Sequence, residues 1–149
     1  MAKKRVLIVC TGNACRSQMA EALWRADAGD EYEVASAGTH PAGVHPLARQ
    51  VIEELGIDMS SHHSKSVYSF AGEHFDMVVT VCNSAREICP TFRCADRHLH
   101  WPFPDPISAV GELAERLAEF RRVRDVIRAK IREFVAAERS SGAARRSTC

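Results

Sequence analysis

The chain has 149 residues, enough for one domain with a core of its own, and its 46% hydrophobic and 26% charged content is ordinary for a globular protein. A formal net charge of +1 provides no broad basic or acidic face, so nucleic acid and membrane surfaces are not expected as partners and any anion site must be built locally. No apolar run reaches the ~18 residues that span a bilayer, and the one near the start is too short for a signal-peptide core, so a cytoplasmic protein is expected.

Val6–Val9 is apolar throughout and stops at a turn, Thr11-Gly12-Asn13, which predicts a strand buried on both faces. A helix follows, with Met19 and Leu23 on one face and Ala20, Glu21 and Ala22 favouring the conformation. Strand, glycine turn and helix open a βαβ unit. Tyr32–Ala37 predicts a second strand closed by Gly38. Residues 45–55 predict a second helix, with Leu47, Val51 and Leu55 on one face and Gly56 as its stop. Phe75–Cys82 is the next strand. Asn83–Ile88 is compatible with a helix that Pro90 would end, and His98–Trp101 predicts a last strand before the loop Pro102-Phe103-Pro104-Asp105-Pro106. From Gly111 to about Glu138 a long helix is expected, with Leu113, Leu117, Phe120, Val123, Ile127, Ile131 and Phe134 at three- and four-residue spacing. Residues 139–149 have little apolar content and are expected to be a disordered tail. The alternation implies a single α/β domain over residues 1–138, a central four-stranded parallel sheet flanked by helices.

Six cysteines, at positions 10, 15, 82, 89, 94 and 149, are many for such a chain. In a reducing compartment they more often bind metal or do chemistry than form structural disulfides. The informative stretch is Cys10-Thr11-Gly12-Asn13-Ala14-Cys15-Arg16-Ser17, a C-x5-R pattern where strand becomes helix. Backbone N–H groups curling into a helix N-terminus, together with a guanidinium, make a cradle for a tetrahedral dianion. Thr11, Gly12, Asn13, Ala14, Cys15, Arg16 and Ser17 would form it. Such surroundings favour the thiolate of a cysteine at the base. Cys10 is therefore the candidate nucleophile, and Arg16 the bidentate grip on the oxyanion. The spacing alone arises often by chance, with the cysteine a small buried residue and the arginine solvated. Its placement after the first strand, with Gly12, Asn13 and Ser17 between, singles it out.

The loop CTGNACRSQMAE resembles that of the low-molecular-weight tyrosine phosphatases and their arsenate reductase relatives. Further matches come in order: Ser36-Ala37-Gly38-Thr39, then Gly56-Ile57-Asp58-Met59-Ser60, then Asp105-Pro106, so the resemblance spans about residues 5–135. It implies that Cys10 is the nucleophile, that Arg16 binds the oxyanion, and that Asp105 is the general acid for the departing oxygen. It also implies that Asn13 and Ser17 shape the loop and hydrogen-bond the thiolate. Without the family, Asp105 between two prolines is simply a rigid turn residue.

The two branches of that family share the cradle and diverge after the first attack. Cys82, at the end of FDMVVTVC, and Cys89, seven residues on, have the spacing and context of the reductases coupled to thioredoxin. Tyrosine phosphatases typically carry an aromatic pair after Asp-Pro, where this chain has Ile107-Ser108; His100-Trp101 also resembles the reductases. The resemblance implies an arsenate reductase acting by thiol–disulfide exchange. A Cys10–Cys82 disulfide forms first, a Cys82–Cys89 disulfide replaces it, and a thioredoxin-like reductant closes the cycle. The alternative is a phosphatase acting on phosphotyrosine. A monomer without cofactor is expected.

Zinc held by Cys82, Cys89, Cys94, His98 and His100 would be a competing reading, but the close cysteine pairs of structural zinc sites are lacking. His62-His63 reads as a polar loop. Some relatives bind potassium beside the loop through an Asn, a Ser and an acidic residue. Asn13 and Ser36 match, but Lys65 stands at the acidic position and would repel the cation, so no metal is expected. Cys15 is expected to face the core.

Overall fold

In the computed structural model, which describes residues 3–81 and 95–141, the apolar run at the start of the chain is strand β1 (Lys4–Cys10). It lies inside a four-stranded sheet of order β2-β1-β3-β4, formed with β2 (Tyr32–Gly38), β3 (Met77–Thr80) and β4 (Arg97–His100). Every pairing is parallel. Parallel strands cannot be joined by hairpins, and the helical crossovers they require cover the sheet. Val6, Leu7, Ile8 and Val9 are accordingly at most 1% exposed. This is the sheet the sequence predicts. Its register brings Cys10 level with Gly38, and Val9 level with Thr80, which in turn pairs with His100. The carboxyl ends of all four strands thus share one edge, the place where open α/β sheets bind ligands.

Among the described residues, helix α1 (Arg16–Ala28) packs on β1 and β2, and α2 (Pro46–Glu53) and α3 (Leu113–Ser141) pack on α1 and on each other. Helix α2 stops at Glu53, earlier than expected, so Leu55 falls beyond it and is 37% exposed, while Ile52 joins Leu47, Ala48 and Val51 inside. Its entry is set by Pro46 in the first turn and by His45, whose Nδ1 accepts from Leu47 N at 3.1 Å. Helix α3 buries Leu117, Phe120, Val123, Ile127, Ile131 and Val135. Leu113 is exposed because it is the helix's first residue, and Val135 rather than Phe134 takes the buried place in the penultimate turns. The helix also runs three residues past Glu138, and Arg139 pairs there with Glu31. The rest of the expected tail, residues 142–149 with Cys149, lies outside the described residues, as do Cys82, Asn83–Ile88, Cys89 and Cys94.

An aromatic stack joins α1 to the chain after β4. Trp24, fully buried, stacks on Trp101 with ring centres 5.7 Å apart and planes 12° from parallel. Phe134 meets both rings edge-on, and Phe103 packs edge-on against Trp101. Burying an indole in such company is worth about 3–5 kcal/mol against alanine. That energy holds the segment Trp101–Asp105 against the helix that begins at Arg16.

Candidate active site

The loop between β1 and α1 is turned inside out by its neighbours. The carbonyls of Cys10, Thr11, Gly12 and Ala14 accept from the backbone N–H groups of Thr39, His40, Ala42 and His45 at 2.8–3.2 Å, and that of Asn13 accepts from Ser64 Oγ at 2.7 Å. In a trans peptide the N–H points opposite the carbonyl. The N–H groups of residues 11–15 therefore turn to the inside of the loop. The one from Asn13 reaches Cys10 Sγ at 3.2 Å. Helix α1 starts at Arg16 and adds the positive end of its dipole. Gly38 lets β2 approach: a Cβ there would stand 2.6 Å from Thr11 O and 2.9 Å from Asn13 N.

Asn13 organises the interior. Its φ of 48° places it in the left-handed region, which Asn tolerates better than most residues. Its Oδ1 accepts from Lys65 N and from Gln18 Nε2, both at 2.9 Å. Because a backbone N–H can only donate, Lys65 fixes which way the amide points. Nδ2 then donates to Ser17 Oγ at 2.8 Å and to Ser36 Oγ at 2.9 Å. Ser36 directs its own proton to Glu21 Oε1 at 2.5 Å, and Ser17 Oγ lies 2.9 Å from Cys10 Sγ, to which it donates when Cys10 is a thiolate. The Cys10 thiolate thus receives both an N–H and an O–H at the floor of the loop. Cys15 points into the core, where burial first, then the charges of Asp105 and Cys10, pushes its thiol up to about 12. It stays a neutral thiol.

Arg16 sits at the rim. Its guanidinium donates to Phe103 O at 3.2 Å and lies 3.6 Å from Asp105 Oδ2. Asp105 Oδ1 accepts from Ile107 N at 3.0 Å, fixing the carboxyl between its two prolines while it stays open to solvent. Phe103 N donates to Val81 O, and Val81 N to Val9 O, so the chain leading to Asp105 is laced to the end of β1. The fold therefore brings Cys10, Arg16, Asn13, Ser17 and Asp105 together. Cys82 and Cys89 fall outside the described residues, although Val81, the residue before Cys82, is paired beside the strand that ends in Cys10.

A second tier was not legible in the sequence. Gln18 and Glu21 are buried, although they sit on a helix that reads as amphipathic. Glu21 meets Arg25 at 2.9 Å and Lys65 Nζ at 3.7 Å, and Lys65 also donates to His63 O at 3.1 Å. A fixed ammonium thus stands beside the buried carboxylate. His62 is no loop bystander: its Nδ1 lies 2.9 Å from Gln18 Oε1, and burial lowers its pKa although Glu21 opposes the shift. No local signal could have found them, because Ser17, Gln18, Glu21 and Arg25 share one polar face of α1, opposite Met19 and Leu23, and such a face reads as solvated until other elements cover it.

The chain matches the family model for low molecular weight phosphotyrosine protein phosphatase over residues 5–143. It is similar to an arsenate reductase of Halalkalibacterium halodurans, 42% identical over 134 residues that make up 90% of this chain and 96% of that one. Among solved structures, an arsenate reductase in a phosphate-binding state superposes with a TM-score of 0.77 at 30% identity, covering 90% of this chain and 98% of the other. A thioredoxin-dependent arsenate reductase of Corynebacterium glutamicum superposes with a TM-score of 0.73 at 28% identity, over 93% of this chain and 63% of that one.

Proposed function

The chain belongs to the low molecular weight phosphotyrosine protein phosphatase family, and from that premise we propose that it is an arsenate reductase, turning arsenate into arsenite through the thiols of Cys10, Cys82 and Cys89. One observation carries the reading: Cys10 Sγ lies at the floor of a loop with inward N–H groups, with the Asn13 N–H and the Ser17 hydroxyl on the sulfur and Arg16 and Asp105 at the rim. A tetrahedral oxyanion held by those donors presents its central atom to the sulfur.

In the first step the Cys10 thiolate attacks arsenic and an As–O bond breaks. Arg16 neutralises the oxyanion, and Asp105 gives the departing oxygen its proton, so that water leaves. In the second, the Cys82 thiolate attacks Cys10 Sγ and the S–As bonding pair stays on arsenic. Arsenic falls from the +5 to the +3 state, arsenite departs, and the two electrons are accounted for by the Cys10–Cys82 disulfide. In the third, the Cys89 thiolate attacks Cys82 and frees Cys10, leaving a Cys82–Cys89 disulfide. A dithiol protein of the thioredoxin kind reduces it by the same exchange. The neutral Cys15 thiol keeps out of the sequence, because only thiolates take part. A monomer in the cytoplasm is the working unit, and the similarity to a thioredoxin-dependent reductase supports the choice of reductant.

With thioredoxin, its reductase and NADPH, the protein should reduce arsenate over many turnovers. The Cys89→Ser protein should complete one and stop as a Cys10–Cys82 disulfide, read by mass spectrometry of its peptides. Repeated turnover by Cys89→Ser with thioredoxin alone would overturn the relay.

A further inference from the structure

At the end of the sheet away from Cys10, among the described residues, three side chains of metal-ligand type converge. Asp76 directly precedes β3, Asp96 directly precedes β4, and His74 stands two residues before Asp76. Because β3 and β4 run parallel from the pair Met77 and Arg97, the two aspartates enter the sheet side by side. The backbone holds them there: Asp76 N donates to Arg5 O at 2.9 Å, Asp96 N to Phe75 O at 3.3 Å, and Arg97 N to Asp76 O at 3.1 Å. One ligand atom from each of His74, Asp76 and Asp96 lies within 4.8 Å of the other two.

The decisive feature is Asp96. Its side chain is 6% exposed, yet Oδ1 has no hydrogen-bond partner, which is unfavourable for a carboxylate oxygen unless a cation meets it. The neighbouring His74 Nε2, an ion-pair partner of that oxygen only when the imidazole is protonated, stands 3.6 Å away. That is too far for a hydrogen bond, but near the ~3.3 Å that separates two ligands of a tetrahedral ion bound at about 2.0–2.1 Å. Asp76 is oriented by Arg5 N, which donates to its Oδ2 at 2.6 Å. The Arg5 guanidinium does not neutralise the two aspartates, since it is engaged by Glu33 at 2.7 Å and Glu73 at 2.8 Å. His74 is exposed and leaves a way in.

We propose that His74, Asp76 and Asp96 bind one divalent first-row transition ion, through an imidazole nitrogen and carboxylate oxygens, and so tie together the entries of β3 and β4. The donor set holds no thiolate and suits the harder members of the series. Arg5 and Cys10 are five residues apart on β1, about 16 Å at the strand rise, so the ion contributes to the fold and not to the reacting atoms.

Manganese(II) is the probe, because it prefers carboxylate and imidazole to the chain's thiols. Titration of the intact reduced protein, with free Mn²⁺ read by electron paramagnetic resonance, should show one ion bound per chain. At a hundredfold excess over Kd the melting temperature should rise by about 5–10 °C. His74→Ala and Asp96→Asn should each abolish the uptake and the rise while reducing arsenate at the parental rate, which also certifies that they fold. A parent protein that takes up no Mn²⁺ overturns the proposal, whatever the variants do. So does uptake by His74→Ala and Asp96→Asn equal to the parent's.

Discussion

Replacing Asn13 by Ala should cost about 5 kcal/mol of stability and slow the first attack on arsenate. The side chain makes four hydrogen bonds, to Ser17, Ser36, Gln18 and Lys65 N, all at 2.8–2.9 Å and all in a fully buried position. Losing them at about 1 kcal/mol each removes roughly 4 kcal/mol, because the stranded partners cannot reach water. Alanine at a φ of 48° adds about 1 kcal/mol of backbone strain. The total is a large share of the ~5–15 kcal/mol that stabilises a domain. Asn13→Gly separates the two contributions: it loses the same bonds without the strain and should be about 1 kcal/mol the milder. Urea unfolding of the reduced proteins measures both. In kinetics, Ser17 is no longer turned toward Cys10 Sγ, and losing a charge-assisted bond at the nucleophile predicts a fall in kcat/KM of about 10- to 100-fold. A stability loss under about 1 kcal/mol, or full activity in a destabilised Asn13→Ala protein, would show that Asn13 does not organise the loop.

The cradle should also hydrolyse p-nitrophenyl phosphate weakly, since phosphate and arsenate have nearly the same shape. That activity should survive Cys82→Ser and vanish in Arg16→Ala, and its loss in folded Cys82→Ser protein would contradict the division of labour between the thiols. Burial lowers the pKa of His62, against the pull of Glu21, and burial and Arg116 lower that of His45, which must stay neutral at Nδ1 to cap α2. A base whose pKa is depressed on folding stabilises fully above its unfolded value, ~6.5, and less as pH falls below it. Denaturant unfolding should therefore show stability declining from pH ~7.5 to ~5.5, with a shallower decline in the His45→Gln/His62→Gln double variant; equal slopes would refute the assignment. Lys65 stands where a bound cation would meet Glu21. Exchanging sodium for potassium at constant ionic strength should leave the melting temperature unchanged, and Lys65→Asp should create a dependence. A potassium-specific rise of several degrees in the parent would refute this.

What the amino-acid order determined by itself was local. Apolar runs of strand length, a glycine turn and a helix start place Cys10, Asn13, Arg16 and Ser17 on one loop within eight consecutive residues, where backbone preference and side-chain spacing act directly. The two central strands, β1 and β3, were legible for the same reason: a strand covered on both faces reads as a continuous apolar run. Asp105 is different. Nothing within a few residues of it points to Arg16; the stacking of Trp24 on Trp101 and the pairing of Phe103 with Val81 bring it there. The end of α2 escaped the pattern because Leu55 fits the helical spacing, although the helix has already stopped at Glu53. Gln18, Glu21 and His62 escaped it because a polar residue on a helix or loop reads as solvated until other elements cover it, as Ser36 of β2 and the segment from His62 to Lys65 do here. The same holds for Asp76, inside the predicted strand Phe75–Cys82, and for Asp96, which the sequence marks in no way; the parallel register of β3 and β4 sets them side by side. Periodicity reports what neighbours along the chain prefer, whereas the cost of a buried carboxylate depends on what the fold lays against it.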